Sequence, residues 1–373
     1  MNIFLLITLA CSLFLAIYIY YLIVFSKGLN NKNKITNQKK TVSVIIAARN
    51  EEENITHILT SLVNQSYSKR LFEVIIANDN SEDRTEEIIE RFSEKWNFIK
   101  HINITNRNEV KSPKKNALQQ AIAISNGEIL LLTDADCIVP KYWIESMVRL
   151  FTDKTDMVVG FSRTLIRKWE SAKFVEKFEF FDFAVLLSAG AGAIGSKKYF
   201  GCNGQNLGYT REAFEHVGGF DKINHLISGD DNNLMQLFRK KSKNLQFNLS
   251  PHSFVYTKPI KNWVNLINQR TRWASNIKHQ IFLNFEFFIY LTSIFFFIIM
   301  TFSLFLYNWL IPLFLIAIKS ISEFIFFRKA FTKFRLDKRR LRFYPKWVLI
   351  QPFFNILIFI LGQLDYFKWN GRK

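Results

Sequence analysis

Residues Ile3 to Phe25 run for 23 positions without a charged side chain. As an α-helix such a run reaches about 35 Å, more than the roughly 30 Å of a bilayer's hydrocarbon core. It reads as a retained membrane anchor. No Lys or Arg precedes it, no small-residue cleavage pattern closes it, and Lys27 follows it, unlike a secretory leader. A second apolar block, Phe285 to Phe327, is long enough for two further spans turning near Tyr307, Asn308 and Pro312. A third run covers Trp347 to Phe367, but Gln351, Pro352, Asn355, Gln363 and Asp365 interrupt it, so it reads as either a span or a re-entrant segment. With 39 Phe among 373 residues and 49% hydrophobic side chains gathered into these blocks, a single soluble domain is excluded.

Charge is segregated as sharply. Of the formal net charge of +19, nearly all sits in three windows: five Lys at 27–40, nine Lys or Arg against one Asp at 328–346, and five at 257–279. The remainder is close to neutral, which argues against a nucleic-acid-binding protein, whose basic face lies on the folded domain. It argues for segments pressed against an anionic cytoplasmic leaflet, so the expected protein is integral to the cell (inner) membrane and multi-pass, with residues 27–280 and 328–346 on the cytoplasmic side. A full third C-terminal span would place the basic tail Lys368, Arg372 and Lys373 outside, against the same rule. Cys11, Cys137 and Cys202 have no paired spacing, so neither a disulfide nor a zinc framework is expected.

Between the membrane parts lies a domain whose opening alternates strand and helix. "TVSVIIAA" is a buried strand by its β-branched run, and "NEEENITHILTSLVNQ" a helix begun at Asn50. "FEVIIANDNS" is a second strand, "SEDRTEEIIERFSEKW" a helix capped by Ser81, and "KKNALQQAIAIS" a third helix ended by Asn126 and Gly127. The run Ile129 to Leu132 is the next strand. The order implies a parallel α/β sheet, whose ligands lie beyond the carboxyl ends of the strands. Polar residues collect at those ends: Arg49, Asn50 and Glu51 after the first strand, Asp79 after the second, Asp134 and Asp136 after the third. On one strand face, two carboxylates set i and i+2 lie roughly 7 Å apart at their Cα atoms. At an effective dielectric of 20 they repel by about 2 kcal/mol, which a shared cation would relieve.

In order, "SVIIAARNEEENI", "NDNSEDRT", "KKNAL", "TDADC", "GCNGQNLGYTREAFEHVGGF", "SGDDNNL" and "QRTRW" resemble the family-2 inverting glycosyltransferases with a GT-A fold, in their membrane-integrated branch. The resemblance covers about residues 41–280. It implies an α/β nucleotide-diphospho-sugar transferase domain, a mainly parallel sheet flanked by helices, accompanied by transmembrane α-helices. The implied partners are a nucleotide diphosphate sugar donor, UDP-sugar favoured, a lipid-linked or saccharide acceptor, the membrane, and a divalent metal, magnesium or manganese. By the same resemblance Asp79, Glu51, Arg49 and the backbone at Ala47 line the nucleoside pocket, and Lys114 lies near the diphosphate. Asp134 and Asp136 form the DxD element, Asp136 ligating metal directly and Asp134 touching metal or ribose. Asp231 takes the acceptor proton, with Asp230 beside it in place of the commoner Glu. Gln269, Arg272 and Trp273 share a helix face toward the diphosphate, and Gly201, Asn203 and Gly204 surround the sugar and acceptor. The sequence departs from the family's pattern at Ala47, where Pro is usual, at Asn78, where an acid is usual, and at Lys258, where Glu is frequent.

The implied organisation is an anchor over 1–26, a basic linker over 27–40, a catalytic domain over 41–257, an interfacial amphipathic helix over 258–280, two spans over 281–327, a basic loop over 328–346, a membrane segment over 347–367 and a tail. The implied reaction is transfer with inversion to a lipid-linked acceptor. Two alternatives remain: a processive polysaccharide synthase that extrudes its product, and an inactive nucleotide-sugar-binding membrane scaffold. Lys319 and Glu323 read as a mutually neutralising i, i+4 pair, and His252 as a remote candidate for a further metal ligand.

Overall fold

A computed structural model describes residues 3–104, 112–226, 228–241 and 244–367; the basic tail considered above lies outside them. In chain order the elements are α1 (Ile3–Gly28), β1 (Val42–Ala48), α2 (Ile55–Val63), β2 (Phe72–Asn78), α3 (Thr85–Lys95), β3 (Ile99–Asn103), α4 (Pro113–Ala123) and β4 (Ile129–Leu132). There follow α5 (Trp143–Val148), β5 (Met157–Gly160), β6 (Ser162–Thr164), α6 (Phe174–Gly195), β7 (Leu207–Thr210), α7 (Arg211–Val217), α8 (Asn232–Lys241), β8 (Leu245–Asn248) and β9 (Val255–Thr257). The C-terminal part holds α9 (Trp263–Ala274), α10 (Ile277–Leu283), α11 (Phe285–Leu304), α12 (Leu310–Lys333) and α13 (Tyr344–Gln363). They form two compact units: residues 32–167 with 201–259, and residues 1–31 with 168–200 and 260–373. The expected 41–257 domain is therefore interrupted by 168–200.

The first unit is the α/β one. Its seven-stranded sheet has the order β3-β2-β1-β4-β7-β5-β8, and β7 runs antiparallel to both its neighbours while the other pairings are parallel. Ile45 pairs with Ile75 on one side and Leu132 on the other. Strands buried on both faces need apolar residues throughout, which is why "VSVIIAA" and "ILLL" lack alternation. On one face Val44, Ile46, Val74 and Ile76 pack with Ile58 and Leu62 of α2 and Ile89 of α3 into one core. A second, two-stranded sheet pairs β6 with β9.

Local boundaries differ from expectation in three places. Asn50 does not start α2; it is left-handed, with φ of 54°. The backbone N–H groups of Asn50, Glu51 and Glu52 instead donate to Ser81 Oγ, Thr85 Oγ1 and Asp83 Oδ2. Side chains of the neighbouring loop thus satisfy donors that a longer helix would have used, and α2 begins at Ile55. Ser81 does not cap α3 either: its hydroxyl donates to Asn78 Oδ1, and Asp83 receives the Thr85 N–H at the helix start. Thirdly, β4 stops at Leu132, the last residue paired with β7, so Asp134 and Asp136 lie in the following turn rather than on a strand face.

The second unit is helical. Among the described residues, five helices are long and apolar enough to cross a membrane: α1, α6, α11, α12 and the stretch Lys338–Gln363 that contains α13. Pro312 sits in the first turn of α12, not in the turn before it. The span-sized helix that sequence reading missed, α6, is mostly covered by protein, and Glu179 and Asp182 within it face the buried Arg270 of α9. Gly28 at the end of α1 abuts α6 so closely that a Cβ there would lie 1.9 Å from the Gly192 carbonyl oxygen, so only glycine fits. The expected helix over 258–280 is broken in two at Ser275 and Asn276. Lys319 and Glu323 do pair, at 2.6 Å, and Glu323 also accepts from the Tyr18 and Tyr344 hydroxyls.

Candidate active site at the carboxyl edge of the sheet

β1 and β2 end side by side, Ala47 opposite Ala77 and Ala48 opposite Asn78. The chain beyond each is laced to the other: Glu82 N–H donates to Asn50 Oδ1 at 2.8 Å, and Arg49 pairs with Glu82 at 3.3 Å. Asp79 is buried, its N–H donating to the Ala48 carbonyl at 2.8 Å. Glu51 accepts from Asn54 Nδ2 at 2.6 Å, yet burial, reinforced by the charges of Asp136 and Asp134, pushes its carboxyl up to about 7. Asn78, in place of the usual acid, is a buried hub that donates to Asn103 and accepts from Ser81.

α4 delivers two adjacent lysines in different directions. Lys114 Nζ lies 2.9 Å from Asp134 Oδ1 and 3.1 Å from Asp230 Oδ2, bridging acids nearly a hundred residues apart in sequence. Burial alone would lower its pKa, but the two carboxylates outweigh that and raise it. Lys115 turns the other way, fully buried, and its ammonium donates to the carbonyls of Ile223, Leu226 and Ser228. Three donors meet three acceptors in the segment leading to Asp230 and Asp231.

Asp231 accepts from the Gly204 N–H at 2.9 Å and from the Asn232 N–H at 2.5 Å. Burial and the neighbouring Asp230 charge nonetheless raise its pKa. The same two influences, burial foremost, raise Asp136 to about 6, with Asp134 as the charge and the Cys137 thiol as a weak donor at 3.6 Å. Of the glycine-rich stretch, Gly204 serves as a backbone donor, and a Cβ at Gly201 would meet nothing within 4 Å. Asn203 turns inward: its amide donates to Ser162 and its oxygen accepts from Gln205 N–H. Arg211 caps the end of α4, donating to the carbonyls of Gly127 and Ile122.

Sequence reading missed Lys115 and Cys202. Lys115 falls on the buried stripe of α4 with Leu118 and Ile122, and that spacing was its signal. Cys202 carried none; burial and the Asp231 and Asp230 charges push its thiol up. His252 is exposed and set edge-on to Tyr142, away from any carboxylate cluster among the described residues. In the helical unit, α9 shows Gln269, Arg272 and Trp273 on its less buried side, while Leu266, Arg270 and Ala274 form the buried stripe. Arg270 donates to Asp182 at 2.6 Å and to Gln269 Oε1, and its guanidinium lies 4.2 Å from the Trp273 ring centre.

No group of three or more His, Cys, Asp or Glu side chains among the described residues is arranged to hold a metal. Asp134 and Asp136 still fit a hard cation. Magnesium needs only one or two carboxylates and fills its remaining positions with phosphate and water oxygens, and Asp136 is a half-buried carboxyl with a thiol as its side-chain donor.

Residues 43–218 match the family described as Glycosyl transferase family 2. They are a family 2 glycosyltransferase domain. The chain is 31% identical over 240 residues to a protein named Probable glycosyltransferase YdaM from Bacillus subtilis, covering 62% of this chain and 54% of the relative. It is 24% identical over 252 residues to the Beta-monoglucosyldiacylglycerol synthase of a Nostoc species, covering 68% and 52%. The chain thus spans about half the length of the curated relatives it matches. Among solved structures, the mannosyltransferase PcManGT from Pyrobaculum calidifontis, in complex with GDP-Man and Mn2+, aligns over 97% of this chain and 99% of its own with a TM-score of 0.67 at 16% identity. At that identity the likeness is one of fold, and it includes the mainly parallel sheet of the glycosyltransferase domain.

Proposed function

We propose that the protein is a membrane-integrated, metal-dependent, inverting glycosyltransferase that moves a sugar from a nucleotide diphosphate donor to a lipid-linked acceptor at the cytoplasmic face. One observation carries the reading: Lys114 joins Asp134 to Asp230 at the carboxyl edge of the sheet, beside the half-buried Asp231, whose pKa is raised. A lysine able to meet phosphate and a carboxylate able to take a proton, gathered in one cluster, support that reading.

The acceptor hydroxyl oxygen attacks the anomeric carbon as the bond from that carbon to the diphosphate oxygen breaks, and Asp231 receives the hydroxyl proton. A raised pKa suits this role, since a base of ordinary carboxylate strength accepts a proton from an alcohol only late in the step. Gly204 N–H holds the Asp231 carboxylate in place. Lys114 offsets charge on the departing nucleoside diphosphate, and Asp79, Glu51, Arg49 and Ala47 frame its nucleoside. A divalent cation held by Asp136 and Asp134 would add Lewis-acid neutralisation of the same leaving group. By resemblance Gln269, Arg272 and Trp273 act on the diphosphate and acceptor. The monoglucosyldiacylglycerol in the name of the Nostoc relative, and a chain that passes from α9 through α10 into the apolar α11, support a lipid acceptor.

The test is turnover by the purified full chain with radiolabelled UDP- and GDP-sugars, vesicles containing diacylglycerol or a polyprenyl phosphate, and magnesium or manganese. Label passing into the lipid phase, one sugar per acceptor, is expected. Long products would favour a processive synthase, and no transfer from any nucleotide sugar would remove the reading.

A further inference from the structure

Where α12 ends and a 3-10 turn (Lys338–Phe343) leads into α13, an open cavity of about 450 Å³ is lined by Phe324, Arg328, Lys338, Leu341, Arg342 and Pro345. Three of these six carry a positive charge and none a negative one. Among the described residues none of the three cations makes an ion pair, and the single acid of the loop, Asp337, is engaged by Arg339 at 2.9 Å. Three like charges gathered around one space repel one another. An anion seated there would reverse that cost, and two guanidinium groups offer the forked donors that phosphate oxygens accept.

The other half of the lining is apolar, and it continues in one direction. Phe324 stands one turn from Arg328 on α12, with Ile325 between them and Ile321 beyond, 64% and 62% exposed. On the facing side Pro345 is followed one turn on by Leu349, 71% exposed. From Arg328 to Ile321 the helix rises about 10 Å, so the charged end and the apolar surface are separated by roughly the length of a headgroup and the first acyl carbons. A free sugar phosphate or a nucleic acid would leave the apolar surface without a partner.

We infer that this cavity binds the phosphate of an anionic glycerophospholipid, whose acyl chains lie along Ile321, Ile325 and Leu349. The site is a discrete one for a single lipid, distinct from general attraction of basic residues to an anionic leaflet. It rests on the reading of α12 and α13 as membrane spans.

The test uses the full chain in a neutral detergent, titrated with phosphatidylglycerol or phosphatidylcholine, with native mass spectrometry counting bound lipid. One saturable phosphatidylglycerol per chain is expected, at least about tenfold tighter than phosphatidylcholine. The double variant Arg328→Gln with Arg342→Gln should cut that preference to below about twofold. Lys333→Gln with Lys346→Gln, which removes as much charge from the same loop outside the cavity, should keep it. Equal loss in both double variants would mean diffuse attraction only and would overturn the site, as would equal binding of the two lipids. Displacement of phosphatidylglycerol by sn-glycerol 3-phosphate at similar concentration would make it a free-anion site and also overturn it. Should the Arg double variant not fold, the wild-type comparison of these three ligands decides alone. Alkaline carbonate extraction of native membranes reads the spans separately: release into the supernatant would remove the span reading, and this inference with it.

Discussion

Asp231 holds a carboxyl that burial and Asp230 push toward protonation while two backbone N–H groups draw it toward ionisation. Asp231→Asn keeps an oxygen for Gly204 but cannot take a proton. Its turnover should fall by about 10²–10⁴-fold, with nucleotide affinity by calorimetry nearly unchanged; full activity would remove the base assignment. Lys115→Met leaves three buried carbonyls without their donor, so turnover should drop and the thermal midpoint with it, although Lys115 faces away from the cleft. Glu51 gives a pH signature. Its folded pKa of about 7 lies above the ordinary 4.5, so its stabilising contribution is complete below 4.5 and is lost as pH rises through 7. In metal- and nucleotide-free protein, Glu51→Gln should therefore leave the melting temperature unchanged near pH 4.5 and raise it at pH 8. No rise at pH 8 would mean that Glu51 ionises without penalty. Such residues were legible to different degrees: Asp79, Asp134 and Asp231 stand in motifs, whereas the burial that tunes them depends on long-range packing that no local stretch encodes.

At the scale of elements, β1, β2 and β4 could be read because strands buried on both faces demand unbroken apolar runs. β3 could not, since "IKHIN" is half exposed and polar at every second position or more often. α6 escaped for the opposite reason: apolar residues surround it, so no 3.6-residue stripe stands out, and Glu179 and Asp182 argued against burial. Their meaning appears only with Arg270, which they hold beneath Gln269 and Trp273. Arg270→Met should destabilise the helical unit by about 3–5 kcal/mol in thermal unfolding, because two buried carboxylates lose their cation. Combining it with Glu179→Gln and Asp182→Leu should recover most of that loss. If the triple variant is no better than Arg270→Met alone, the three do not act as a unit.

For the whole molecule, apolar segregation marked four of the five helices long and apolar enough to cross a membrane, yet not that the chain would leave the α/β unit at Lys168 and return at Gly201. The excursion has a practical consequence. A soluble fragment cut at the expected borders, residues 41–257, would still carry α6 after removing α1, α12 and α13, the helices that cover it. Such a fragment should aggregate, and excising 168–200 as well, with a short linker in their place, should give a monodisperse product by light scattering. Nucleotide affinity retained by that shortened protein would show the cleft to be self-sufficient. The sheet unit and the helical unit are sewn together by two crossings of the backbone in mid-sequence, so losing one end of the gene would not free the sheet of its helical companion.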